Sequence, residues 1–99
     1  HVNPLLDVGR SSWRDHARAL LEETVELVAG LGGTLSGEHG DGRLRAPFVE
    51  KIWGPKLTGC FERIKTTLDP NGVLNPGVII PRPGQDPLEG LWPQYGGSA

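Results

Sequence analysis

The sequence has a single cysteine and no apolar run long enough to cross a membrane, and each of these two features excludes a class of protein. It also contains no methionine. One thiol, Cys60, cannot form an internal disulfide or build a zinc or iron–sulfur site of several cysteines. Because a membrane span needs about eighteen apolar residues, no transmembrane helix is predicted, and no signal peptide is predicted either. We therefore expect a soluble protein of a reducing, cytoplasmic compartment, which would meet a membrane only through a partner.

Basic residues are neither in excess nor clustered. Ten Lys and Arg face twelve Asp and Glu, which gives a net charge of −2 and an isoelectric point of about 5.9. A protein that binds the phosphate backbone of DNA or RNA presents a basic patch or stripe instead. The sequence therefore predicts that nucleic acid is not a partner.

Glycine and proline are abundant, with 15 and 9 among 99 residues, and they cluster near the end of the chain. Residues 81–99 contain four of each, which predicts a flexible Pro/Gly-rich tail after a body of residues 1–80. A chain of this length forms one domain at most, with a modest core. Because it opens at His1 without an initiator methionine, we interpret it as the C-terminal part of a longer protein.

The first half of the body is predicted to contain a strand, a helix and a second strand. Period-2 alternation in residues 1–8 predicts an edge strand, with His1 and Asn3 on the same face. Residues 12–29 have the apolar spacing of an amphipathic helix, and Gly30 is expected to end it. A short strand is then predicted over residues 31–36.

Two more helices are predicted, from Pro47 to Gly54 and from Pro55 to Leu68. The second has the strongest apolar periodicity in the chain, which makes its stripe the expected buried face: Leu57, Cys60, Phe61, Ile64 and Leu68. Turn residues stop this helix, and an extended segment follows over residues 73–80. The order predicts an α+β domain, part of a ferredoxin-like cap in which two main helices pack on a small sheet.

The candidate site is the loop over residues 33–43, Gly-Thr-Leu-Ser-Gly-Glu-His-Gly-Asp-Gly-Arg. Its four glycines allow positive φ angles or a close approach to a ligand. Glu38 and His39 lie side by side among them, and the unperturbed pKa of histidine, about 6.5, suits a general base. A solvated turn and a binding site both fit this composition.

Three motifs occur in register: Gly32–Arg43 around the loop, Glu-Lys-Ile-Trp-Gly-Pro over residues 50–55, and Leu-Asp-Pro-Asn-Gly-Val-Leu-Asn-Pro-Gly over residues 68–77. Together they resemble the C-terminal end of FAD-linked oxidases of the vanillyl-alcohol-oxidase superfamily. The resemblance is greatest to the group of glycolate oxidase, D-lactate dehydrogenase and D-2-hydroxyglutarate dehydrogenase. It covers roughly residues 1–80.

The resemblance implies part of an FAD-dependent enzyme that oxidises a small 2-hydroxy acid, of the glycolate or D-lactate type, to the 2-oxo acid. FAD would be bound mainly by an upstream domain, and electrons would pass to an acceptor protein or a quinone. The 99 residues alone are expected to be inactive and to carry no flavin. The alternative is a free-standing α+β binding or assembly module with a metal-stabilised Glu-His loop and no catalysis.

The resemblance also implies roles for individual residues. These are metal ligands for Zn²⁺ or Mn²⁺ (His1 and Glu38), a catalytic base (His39), substrate-binding residues (Asn3 and Arg43) and a residue near the flavin (Asn75). For Arg43 and Asn75, a plain surface or turn role is the alternative. A further histidine ligand of the family's motif is not in this chain, and Asp41 stands where many members have an apolar residue.

Overall fold

The computed structural model describes residues 1–91 and contains, over that range, two α-helices and a 3₁₀ turn joined by loops. Helix α1 is Trp13–Gly30, the 3₁₀ turn is Ala46–Phe48, and helix α2 is Val49–Leu68. Neither helix of this range is long and apolar enough to cross a membrane.

No strand forms within residues 1–91, so the predicted α+β, ferredoxin-like sheet is wrong. Residues 1–8 and 31–36 remain irregular, and Val2 and Leu5 are 94% and 97% exposed. A strand is stable only when neighbouring strands satisfy its backbone hydrogen bonds, and two or three short strands rarely form a sheet alone. Alternation in the sequence was therefore not sufficient to predict a strand, because it says nothing about a pairing partner.

Helix α1 forms where the apolar spacing predicts it, within one residue at each end. Its end differs from the prediction, because Gly30 is still helical and Gly32 takes the left-handed conformation, with a φ of 70°. The N–H of Gly33 donates to the carbonyl of Val28 at 2.9 Å, and the N–H of Gly32 donates to that of Ala29 at 3.1 Å. This pair of bonds is a Schellman motif, which turns the chain toward the candidate loop.

The core is small, and it lies where α1, the beginning of α2 and residues 81–91 meet. Its buried apolar side chains are Trp13, Val25, Ala46, Val49 and Leu88. Two ion pairs join the same elements: Lys51 to Glu26 at 2.9 Å, and Arg18 to Asp86 at 2.8 Å. The radius of gyration, 14.9 Å, exceeds the roughly 13 Å of a compact domain of this length, as expected for a thin core.

Helix α2 is kinked at the junction of the two predicted helices. Gly54 has φ 80° and ψ 163°, outside the helical region, and Pro55 follows it. Proline lacks the N–H that a continuous helix needs. The carbonyl of Gly54 accepts a hydrogen bond from the Thr58 hydroxyl at 2.8 Å. The stripe predicted to be buried is largely exposed beyond the kink: Leu57 is 46%, Ile64 60% and Leu68 78% exposed.

A buried aspartate organises the turn after α2. The carboxylate of Asp69 accepts hydrogen bonds from Lys65 Nζ at 2.6 Å and from the N–H groups of Val73 and Leu74 at 3.0 and 2.9 Å. The bond from Lys65 and the backbone bond from Leu74 are the main reasons why the pKa of Asp69 lies below its ordinary value of 3.8. This turn starts the segment over residues 73–80.

The proposed tail begins in a segment with defined contacts, residues 81–91. Arg82 pairs with Glu89, and Asp86 accepts hydrogen bonds from the N–H of Leu88 and from Arg18. Those two bonds lower the pKa of Asp86, in that order of effect, although partial desolvation opposes them. Residues 92–99 lie outside the described range, so the boundary at residue 80 stays a prediction.

Candidate metal centre

The Glu-His loop lies between α1 and the 3₁₀ turn, and its glycines have the conformations that the sequence suggests. Gly40 and Gly42 have φ values of 76° and 62°, in the left-handed region that side chains disfavour. Arg45 closes the loop: its Nη1 donates to the Gly40 carbonyl at 2.9 Å, and its N–H donates to the Asp41 carbonyl at 3.2 Å. The loop is therefore a folded unit, although no regular secondary structure forms in it.

Three predicted site residues meet at one point although they are up to 38 positions apart. The Nε2 atom of His1 lies 3.0 Å from Oε1 of Glu38 and 3.1 Å from Nε2 of His39. Nε2 of His39 lies 3.6 Å from the same Glu38 oxygen. All three side chains are about two-thirds exposed. The cluster is thus open to solvent, with its ligand atoms facing one another.

This arrangement fits a divalent cation. Three atoms at these separations can all lie about 2.1 Å from one point, the distance at which Zn²⁺ binds imidazole nitrogen and carboxylate oxygen. Two imidazole nitrogens 3.1 Å apart also need a proton or a cation between them, because their lone pairs would otherwise repel each other. Two histidines and one carboxylate leave a fourth coordination position open, as in catalytic zinc sites.

The other predicted site residues do not join this cluster by any contact within the described residues. Asn3 is exposed on the N-terminal segment. Arg43 is half-buried, and its Nη1 donates to the carbonyl of Pro76 at 2.8 Å. Asn75 is exposed, has a positive φ of 45°, and accepts a hydrogen bond from the N–H of Val78 at 3.2 Å. Arg43 and Asn75 thus have structural contacts, while their roles toward substrate and flavin stay predictions.

The loop and the segment after α2 are joined by hydrogen bonds that the sequence does not reveal. Besides the bond from Arg43 to Pro76, the N–H of Ile79 donates to the carbonyl of Gly42 at 2.9 Å. Ile79 has a φ of 64°, which is unfavourable for a β-branched residue and which this contact helps to hold. The candidate metal loop and the turn that carries Asn75 therefore form one connected unit.

Gln85 adds a third segment to this unit. Its Nε2 donates to the carbonyl of Gly77 at 2.9 Å, and its Oε1 accepts from the N–H of Arg82 at 3.0 Å. A Cβ atom at Gly77 would lie 2.7 Å from Oε1 of Gln85 and 3.1 Å from Nη1 of Arg43. Sequence reasoning missed Arg45 and Gln85 because isolated polar residues in loops carry no periodic or motif signal.

Comparison with known proteins identifies the family of this chain. The model of "FAD linked oxidases, C-terminal domain" matches residues 1–79, and the chain belongs to this family. Among curated proteins, it is 36% identical to the mitochondrial D-lactate dehydrogenase [cytochrome] of Arabidopsis thaliana over 82% of its length. It is 36% identical to the D-2-hydroxyglutarate dehydrogenase of Escherichia coli over 87% of its length.

A third relative is the glycolate oxidase subunit GlcD of Bacillus subtilis, which is 30% identical over 81% of this chain. The chain spans only a small part of these proteins: 14%, 8% and 17% of the Arabidopsis, Escherichia and Bacillus sequences. No solved structure matches the chain significantly. The matches therefore establish the family.

Proposed function

We propose that this chain is the substrate-side part of an FAD-dependent enzyme that oxidises a small 2-hydroxy acid to the 2-oxo acid. The observation that carries the proposal is the meeting of His1, Glu38 and His39 in a chain of this family. The names of the three relatives support the substrate class, because lactate, 2-hydroxyglutarate and glycolate are all 2-hydroxy acids. FAD, held by a separate flavin-binding domain, would supply the acceptor for the substrate's hydride.

In this proposal the chain binds and orients the substrate and takes up its hydroxyl proton. His1 and Glu38 would hold a divalent metal, Zn²⁺ or Mn²⁺, which lowers the pKa of a bound hydroxyl group. His39 would accept the hydroxyl proton at Nε2, the atom that faces the cluster. Asn3 would contact the substrate, and Arg43 could pair with its carboxylate only by giving up its contact with Pro76.

The geometry favours a second assignment for His39, as a third metal ligand. Its Nε2 lies 3.1 Å from the Nε2 of His1, which is a normal distance between two ligands of one ion. One lone pair cannot bind a metal and accept a proton at the same time, so the two assignments are exclusive in any one state. The metal content of a His39 variant separates them, because only a ligand is needed for metal binding.

The test uses the longer protein to which this segment belongs, assayed with glycolate, D-lactate and D-2-hydroxyglutarate and an artificial electron acceptor. We expect His39→Ala to lower kcat by about two to four orders of magnitude, the range for loss of a general base. Glu38→Gln should lower both metal content and kcat, and excess Zn²⁺ or Mn²⁺ should restore part of the rate. Metal content, measured by elemental analysis, should be unchanged in His39→Ala if this histidine is the base alone.

The matched control is Glu62→Gln, which removes the same charge from an exposed position of α2. It should leave kcat and metal content within about twofold of the wild type. Turnover of none of the three acids by the flavin-loaded protein would refute the oxidase proposal in favour of the binding or assembly module. The electron acceptor, a protein or a quinone, and a cytoplasmic location are further predictions from the resemblance.

A further inference from the structure

Arg45 is not among the residues that the sequence singles out, yet it holds the loop that carries Glu38 and His39. It is half-buried, and it donates to two consecutive carbonyls, from Nη1 to Gly40 at 2.9 Å and from its N–H to Asp41 at 3.2 Å. Gly40 directly follows His39. The guanidinium therefore holds the Gly40–Asp41 peptide group, one residue beyond the two candidate ligands.

This contact matters because the part of the loop next to Glu38 and His39 has few other restraints. Gly40 has a φ of 76° and no atom within 4 Å of the position that a Cβ would occupy, so side-chain packing does not fix it. The side chains of Glu38 and His39 are about two-thirds exposed and are not held by a core either. A glycine-rich segment has many accessible backbone conformations, and a hydrogen bond to its carbonyl restricts them.

We propose that Arg45 is a positioning residue of the candidate metal site, which holds Glu38 and His39 in the orientation that lets both reach a cation with His1. The inference rests on the metal centre of the proposed function. Residues that orient metal ligands without touching the metal contribute about 10- to 100-fold to metal affinity. Arg45 does this through the backbone of the loop.

The sign of the expected effect separates positioning from electrostatics. Arg45 is a cation, and a cation near a metal site repels the ion, so its removal alone should strengthen metal binding. A positioning role predicts the opposite, because the loop loses the contact that aligns its ligands. Weaker binding after loss of this positive charge therefore has no electrostatic explanation.

The experiment is a Co²⁺ titration of the longer protein to which this segment belongs, followed by calorimetry. We expect Arg45→Met to bind Co²⁺ about tenfold more weakly than the wild type. The matched control, Arg63→Met on α2, removes the same charge from an exposed side chain and should bind within about twofold of the wild type. Circular dichroism of each variant at the titration temperature should show unchanged helix content.

If Arg45→Met does not fold, Arg45→Lys replaces it. The lysine keeps the charge and the aliphatic stem but has a single, shorter donor group, so weaker Co²⁺ binding at unchanged charge is again expected. Equal Co²⁺ affinity in the wild type and a folded Arg45 variant would overturn the positioning role and leave the metal site intact. Failure of the wild type itself to bind Co²⁺ at millimolar concentration would overturn the metal site and this inference with it.

Discussion

Helix α1 and residues 81–91 form a packed region, whereas the outer face of α2 is open. In the packed region Trp13 and Leu88 are buried, and Arg18 joins the two segments through Asp86. On the open face of α2, Ile64 and Leu68 are 60% and 78% exposed. Both helices are amphipathic, so amphipathicity alone does not explain which of them finds a partner within the chain.

The open face continues into a broad apolar hollow of about 490 Å³ beside α2. The hollow is lined mainly by apolar side chains, among them Phe61, Ile64, Leu68, Leu74 and Ile79. Nothing in residues 1–91 fills it. The comparison shows that an apolar stripe marks a helix face that is suited to burial. The segment that buries this face need not belong to the residues that carry the stripe.

The largest effect is expected in the packed region. Leu88 is 4% exposed, so Leu88→Ala should lower the free energy of unfolding by about 2 to 5 kcal/mol through lost apolar burial and a residual cavity. Urea denaturation followed by circular dichroism measures this change. A loss of less than about 0.5 kcal/mol would show that residues 81–91 do not belong to the core and would erase the contrast with α2.

A smaller effect is expected at the turn where the open face ends. The pKa of Asp69 is lowered in the folded state, so its ionised form stabilises the fold above the ordinary value of 3.8, and this contribution is lost as the pH falls through the folded pKa. The midpoint temperature of thermal unfolding should therefore decrease when the pH is lowered below about 4. Asp69→Asn should unfold at a lower temperature at neutral pH and lose this part of the pH dependence. Parallel pH profiles of the two proteins would contradict this assignment.

The smallest effect is expected on the open face itself. Leu68→Ala makes the same chemical change as Leu88→Ala, but at a side chain that is 78% exposed, so the free energy of unfolding should change by no more than about 0.5 kcal/mol. The same urea experiment measures it. A loss of 2 kcal/mol or more would mean that the face is covered in solution, for example by a second copy of the chain, which sedimentation equilibrium would detect.

The sequence contained the local part of this fold and not the long-range part. Apolar spacing predicted α1 within one residue, and Gly54 with Pro55 predicted the break in α2, because both signals act over a few neighbouring residues. The sheet was wrong because strand pairing depends on segments far apart in the chain, and no strand forms beside residues 1–8 in the part of the chain that the structure describes. The residue that ends α1 was also predicted wrongly. Gly30 and Gly32 both permit a left-handed turn, and the residue that adopts it is Gly32.

The candidate site also has a part that the sequence reveals and a part that only the structure reveals. The Glu38 and His39 pair was visible as residue types in a glycine-rich loop, and in the structure both side chains lie against His1. The contact of Arg45 with Gly40 was not visible, because an arginine at that spacing in a loop is unremarkable until the loop is folded. Chemistry-bearing residues can be read from a sequence, whereas the residues that hold them in place require the structure.

The crowding around Gly77 has a consequence for how this protein can change in evolution. Three segments that are distant in sequence meet there through Arg43, Gly77 and Gln85, and a Cβ atom at position 77 would require the end of the Gln85 side chain to shift. The Arg43 and Gln85 side chains are both flexible, so the stronger constraint is the φ of 81° at Gly77, which residues other than glycine rarely adopt. Position 77 is therefore expected to remain glycine among descendants of this sequence.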